Sequence, residues 1–272
     1  MIKILLLNDI HHGDTKGSTT HPGETRQANS QALQVLAGYI DTFNSRKYDV
    51  VINLGDAIRD VKDKESDLNL LDESMKVFSK IQGNKYFIAG NHELKTLDDD
   101  DIRAISDKHN VTSSIPCMFE LGSFQILLID SEIEENGLAR ISERTTNWIE
   151  NTIDKTKPVM IFSHYSILPL DGYANFYFEK DPKHMSYING SDLARILSRS
   201  PKVISVNAHT HMGSYKKLSN IDAISALAFS ENIGAMQYPD ANPGVYSEIW
   251  VDRNSVYFKS YSGKYCFLSM EL

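Results

Sequence analysis

Cysteine is scarce. Cys117 and Cys266 are the only two in 272 residues, and they form neither a CxxC pair nor a disulfide framework. That usage fits a reducing compartment, and a cytoplasmic location is expected. Long apolar runs are lacking too, since none approaches the ~18 residues of a membrane span. At the N-terminus only Ile4–Leu7 is continuously aliphatic before Asn8. A secretory h-region is longer and ends in a small-residue cleavage site, so no signal peptide and no membrane partner are expected. Positive charge is also in deficit. Lys plus Arg number 28 against 36 Asp plus Glu, a net charge of −8. An acidic surface repels a phosphate backbone, which disfavours a nucleic-acid partner but not a small anion held by metal ions. Internal repeats, low-complexity tracts and Pro/Gly/Ser-rich linkers are absent, so one domain over residues 1–272 is expected.

What remains is a globular composition, 41% hydrophobic and 24% charged, long enough for a sizeable core. Short aliphatic runs at Ile2–Asn8, Asp49–Leu54, Lys85–Ala89, Phe124–Ile129, Val159–Phe162 and Val203–Val206 alternate with helical patterns. This is the signature of a strand–helix–strand chain. Helical stripes run through Ala28, Ala32, Val35, Leu36, Tyr39, Ile40 and Phe43, then Leu68, Leu71, Met75 and Phe78, then Trp148, Ile149 and Ile153. A fourth follows Ser191, a plausible cap, at Leu193, Ile196 and Leu197. All four read as core. Asp98–Asp101 reads as the acidic first turn of a helix rather than a metal site. Toward the C-terminus the period changes to alternation at Val245–Val251, followed by strand formers at Ser255–Tyr261, with Asp252–Asn254 as the turn. Ile221–Phe229 suits a strand or a helix equally.

The chemistry stands where the strand runs stop. The first ends in Asn8-Asp9-Ile10-His11, the second in Gly55-Asp56, and the third in Gly90-Asn91-His92-Glu93. The fifth ends in Ser163-His164, and the sixth in Asn207-Ala208-His209-Thr210-His211. Carboxyl ends of strands in an open α/β sheet line one crevice. That edge would receive Asp9, His11, Asp56, Asn91, His92, His164, His209 and His211, which include five of the nine histidines. An Asp after a strand is commonly a turn residue or cap, and a lone buried His is commonly a satisfied core group. Five polar strand ends converging are another matter, because without a cation their charges and lone pairs would be poorly paired. Carboxylate oxygen and imidazole nitrogen suit Mn, Fe or Zn.

The series Asp9-x-His11, Gly55-Asp56, Gly90-Asn91-His92-Glu93, His164, His209-x-His211 resembles the calcineurin-like metallophosphoesterase superfamily in order and spacing, over roughly residues 1–212. The resemblance implies a four-layer α/β/β/α sandwich, two mixed β-sheets face to face with helices outside. C-terminal strands, about 213–272, would complete the second sheet. It implies two divalent or trivalent transition-metal ions per chain. Asp9, His11 and His211 would hold one and Asn91, His164 and His209 the other, with Asp56 bridging. It further implies hydrolysis of a small phosphate ester through a metal-bridging hydroxide. His92, the family's non-ligand catalytic histidine, would protonate the leaving oxygen. Glu93 and Asp60 are both candidates to orient it.

The bacterial class III cyclic-nucleotide phosphodiesterase branch is the most similar. Arg59 stands where the purple acid branch has a tyrosine ligand, and Ala208 replaces the glycine of the usual last motif. A nuclease of the same superfamily or a non-catalytic scaffold on the same fold are the alternatives. A scaffold would show broken ligand positions, whereas all seven stand here. Two segments are candidates to set the substrate. In His12–Gly23, the residues His12, Lys16 and His21 would either meet an anion or be solvated. The aromatic-rich stretch Ser166–Ile188, flanked by Tyr165, would stack a base, or would form a packed lid or a dimer contact, the last leaving a homo-oligomer open.

Overall fold

The computed structural model describes residues 1–13, 31–170, 178–230, 244–252 and 255–272. The first sheet grows from three parallel strands, β1 (Ile2–Leu7), β2 (Val50–Asn53) and β3 (Asn84–Phe87). Between them run α1 (Ala32–Arg46) and α2 (Lys64–Phe78), and after β3 comes α3 (Asp99–Lys108). The second sheet contains β4 (Cys117–Leu121), β5 (Phe124–Leu128), β8 (Val159–Phe162) and β9 (Val203–Asn207). A small ribbon, β6 (Glu132–Ile133) with β7 (Ala139–Arg140), precedes α4 (Glu143–Thr152), and α5 (Gly190–Leu197) leads into β9. β10 (Ser214–Leu218) and β11 (Ile221–Ser225) follow. The chain ends in β12 (Val245–Val251), β13 (Val256–Ser262) and β14 (Tyr265–Glu271).

Both sheets are mixed. The order of the first is β14-β13-β12-β1-β2-β3, and of the second β10-β11-β9-β8-β5-β4. The C-terminal segment therefore divides between them. β10 and β11 extend the second sheet as expected, but β12–β14 continue the first, correcting the assignment of all the late strands to the second. The reason lies in β1, whose edge away from β2 would otherwise expose unpaired backbone. β12 fills it antiparallel, Ile4 opposite Ile249 and Leu6 opposite Ser247.

Three apolar layers hold the sandwich. Leu36, Phe43, Leu71, Met75 and Phe78 press α1 and α2 onto the outer face of the first sheet. Ile4, Leu6, Ile52, Phe162, Val206 and Ile249 fill the space between the sheets. Ile149, Leu193, Ile196 and Leu197 cover the outer face of the second with α4 and α5. The described residues of the four helical stripes pack into these layers, as read, while Ala28 lies outside the described residues. Caps fix where helices begin: Asp63 accepts from Ser66 N, Ser142 from Thr145 N, and Asp98 forms a capping box with Asp101. α5 differs from expectation, since its N-cap is Asn189 and Ser191 lies inside the helix. Ile221–Phe229 resolves as a strand over its first half, parallel to β9.

Candidate metal centre

The two sheets bring the carboxyl ends of β1, β2, β8 and β9, and the segment after β3, to one crevice. Backbone bonds tie these loops together: Asp9 N donates to Gly55 O (3.0 Å), His11 N to Asp56 O (2.9 Å) and Ala208 N to His164 O (3.0 Å). The segment after β11 braces the first loop, with Ser230 Oγ donating to Asp9 O at 2.9 Å. Sequence reasoning missed that serine, which belongs to no motif. Close approach requires two positions without a side chain. A Cβ on Gly90 would lie 2.2 Å from Asp56 Oδ1, and one on Gly55 would lie 2.7 Å from His164 Nδ1, at a φ of +105°.

Within this crevice Asp9, His11 and His211 can hold a cation, as can Asp56, His164 and His209. Asn91 joins the second group, its Oδ1 3.1 Å from His164 Nε2. Asp56 stands between the two, its Oδ2 3.4 Å from His164 Nε2 and 3.8 Å from His11 Nε2. His11, Asp56 and His92 also lie close enough to form a group. All seven expected ligand positions and His92 are thus brought together.

The donor set fits a metal. Asp9 Oδ2 accepts from Asn8 Nδ2 (2.6 Å) and His209 N (3.2 Å), but Oδ1 is buried without a hydrogen bond. It points among imidazoles, 3.5 Å from His211 Nε2 and 4.0 Å from His11 Nε2, while those two nitrogens lie 2.9 Å apart. Outer ring nitrogens are held by carbonyls. His164 Nδ1 donates to Leu54 O (2.8 Å) and His209 Nε2 to His184 O (3.0 Å), leaving Nε2 of the first and Nδ1 of the second as lone-pair donors.

The electrostatics ask for positive charge. Burial works to raise Asp9, yet the charges of His211 and His164 hold it at about 2. Burial opposes a proton on His164, but the Asp56 carboxylate raises that ring to about 9. A proton is retained there where a cation would balance the carboxylates. Burial, aided by the charge of His164, pushes His209 down to about 3, the neutral form a ligand requires.

His92 is oriented by Asp60, not Glu93. Asp60 Oδ1 accepts from His92 Nδ1 at 2.5 Å and from Lys95 Nζ at 2.7 Å. Burial would raise the Asp60 carboxyl, but the His92 and Lys95 hydrogen bonds hold it at about 2, ionised at working pH. Glu93 is fully buried and braces backbone instead, accepting from Asp56 N, Gly90 N and Ile58 N at 2.8–3.0 Å. The groups open into a cavity of about 690 Å³ with Arg59, Lys95, Glu134, Glu135, Asp181 and His184 at its walls. His12 turns from it, its Nε2 2.8 Å from Glu73 Oε2. Lys16, His21, Tyr173, Phe176 and Tyr177 lie outside the described residues. Ala208 is absent from the positive-φ residues, so alanine fits where the motif usually has glycine. Among the described residues no helix is long and apolar enough to cross a membrane.

Buried carboxylates and imidazoles thus gather at the strand ends of two facing mixed sheets, in groups that could hold metal ions. The chain belongs to the calcineurin-like phosphoesterase family, whose model matches residues 2–213. Similar solved structures include a dimetal phosphatase from Danio rerio, 15% identical, with 98% of each chain covered and a TM-score of 0.72. A purple acid phosphatase from yellow lupin seeds is 12% identical over 99% of this chain and 53% of its own, at a TM-score of 0.63. GAP50, the anchor in the inner membrane complex of Plasmodium, is 12% identical over 100% and 88%, at 0.58. At these identities the likeness is one of fold. A search of curated proteins gives no significant match.

Proposed function

We propose that residues 1–272 act as one domain that hydrolyses small phosphodiesters, cyclic nucleotides among them, or phosphomonoesters at a two-metal centre, in the cytoplasm. Asp9, His11, Asp56 and His211 would hold one ion, and Asp56, Asn91, His164 and His209 the other. The reading rests on Asp56, the one carboxylate among the described residues whose Oδ2 faces ligand nitrogens of both groups, 3.8 Å from His11 and 3.4 Å from His164. Metal ions of the Mn, Fe or Zn class supply Lewis-acid charge and a water acidic enough to attack near neutral pH. The chain's own residues do the rest. His92, held at Nδ1 by Asp60, presents Nε2 and donates a proton to the departing oxygen. Arg59 and Lys95 place positive charge on the cavity wall, which attracts an anionic substrate into an otherwise acidic molecule.

Elemental analysis of purified protein is expected to give about two transition-metal ions per chain, as a two-metal site requires. Chelation should abolish hydrolysis and Mn should restore it. Full activity after verified metal removal would refute the mechanism. Rates on cyclic nucleotides, nucleoside monophosphates and single-stranded DNA then fix the substrate. A preference for DNA would make the protein a nuclease.

A further inference from the structure

Of the polar residues on the cavity wall without a part in the scheme above, Tyr165 is the most buried. Tyr165 follows His164 directly, and its ring is wedged among aromatic neighbours. Ring centroids lie 4.1 Å away at His209, 5.1 Å at His164 and 5.6 Å at Tyr187. Only 2% of the residue is exposed, yet it lines the cavity. The neighbouring hydroxyls are satisfied: Ser163 Oγ donates to Tyr165 O at 2.7 Å, and Tyr187 Oη lies 2.8 Å from Ser131 Oγ. No hydrogen bond joins the Tyr165 hydroxyl to a described residue, and the residue lines the cavity.

A tyrosine this buried ordinarily finds a partner for its hydroxyl, because leaving one unmade is costly. Here the ring is held in place while the hydroxyl is spare, beside a residue placed among the metal ligands. A phenol is protonated near neutral pH and so is a donor. We propose that Tyr165 is a further catalytic residue, donating a hydrogen bond from its hydroxyl to a non-bridging oxygen of the phosphoryl group under attack. The assignment rests on the phosphoester reading of the site. A donor fixed in advance by packing stabilises charge developing on that oxygen without reorganisation during the reaction.

Tyr165→Phe removes one oxygen and keeps the ring against His209. Metal content, kcat and KM on a nitrophenyl phosphate ester with Mn, and inhibition by inorganic phosphate are measured in parent and variant. Metal content should be unchanged, kcat/KM should fall about 10- to 100-fold, and phosphate should inhibit more weakly. A variant kinetically equal to an active parent overturns the assignment. So does a rate loss that tracks loss of metal, because the hydroxyl would then act through His209. A parent with no metal-dependent hydrolysis would refute the reading of the whole site, and this assignment with it.

Discussion

Five non-glycine residues of the cluster have left-handed backbone: Asp9 (φ 50°), His11 (50°), Asp56 (51°), His209 (72°) and His211 (52°). Such conformations cost about 1–3 kcal/mol each and persist where the surroundings enforce them. Here the enforcement is visible in the bonds that lock the loops, and the result is a set of side chains turned toward one another rather than along their strands. His92 lies outside that set. Its Nδ1 is taken by Asp60, so in the proposed role its Nε2 is the nitrogen that would meet substrate. The worth of such an acid depends on the leaving group. A ribose alkoxide needs a proton, whereas p-nitrophenolate leaves readily without one. His92→Ala is expected to slow an alkyl ester by about 10²–10⁴-fold, mostly in kcat, and a nitrophenyl ester much less. Asp60→Asn should show the same bias more weakly, since the ring remains and only its carboxylate partner is lost. Metal content should stay near that of the parent in both. Equal slowing of the two esters would mean that His92 stabilises phosphoryl charge rather than protonating the leaving oxygen.

Elements join through contacts that no local pattern announces. The C-terminal turn of α1 is fastened to β12 by Arg46, whose Nη1 donates to the fully buried Glu248 Oε1 at 2.6 Å. Tyr48 Oη donates to the same oxygen, and Trp250 Nε1 donates to Oε2 at 2.7 Å. The guanidinium also lies 4.7 Å over the Tyr261 ring. Arg46→Met keeps an apolar stem there but strips a charge partner from a buried carboxylate. Breaking a buried pair outright costs about 3–5 kcal/mol. With two donors remaining, about 2–3 kcal/mol is expected, read as a lower urea midpoint at unchanged slope. An unchanged midpoint would show that Tyr48 and Trp250 suffice. This attachment marks what the sequence leaves hidden. Six of the nine strands through β9, and the polar residue ending five of those six, are legible because hydrophobic period and strand terminus are local, whereas β4 and the β6–β7 ribbon are not read from the sequence. The partner of β12 is not, since pairing with β1 joins the far ends of the chain. β10, Ser-Tyr-Lys-Lys-Leu, is an exposed edge strand and shows no alternation to detect. Glu93 looked like a partner for its neighbour His92, but its fully buried carboxylate is drawn to backbone N–H groups, including that of Ile58 in another loop.

Over the whole molecule, a chain of net charge −8 places His11, His92, His184, His209 and His211, with Arg59 and Lys95, on the wall of one cavity and His164 beside it. That concentration links stability to pH and to metal. His209, pushed to about 3, lies below its ordinary 6.5, so the unfolded chain binds the proton more readily. Stability should therefore fall as pH drops from about 6.5 toward 3. Asp9, held at about 2 against an ordinary 3.8, contributes stability that is present above 3.8 and is lost as pH falls toward 2. His164, raised to about 9, acts oppositely: its contribution is full below 6.5 and is lost as pH rises through 9. Metal ions bound at these groups need ionised carboxylates and neutral imidazoles, so they compete with the His164 proton and gain as pH rises. At a hundredfold excess over Kd, one site adds about 2.7 kcal/mol, or a Tm increase of roughly 5–10 °C for a chain of this size. Thermal unfolding with Mn against a chelator should show that increase at pH 8 and a progressively smaller one toward pH 5. A Tm indifferent to metal, or a gain that is constant across that range, would mean that these histidines are not the ligands.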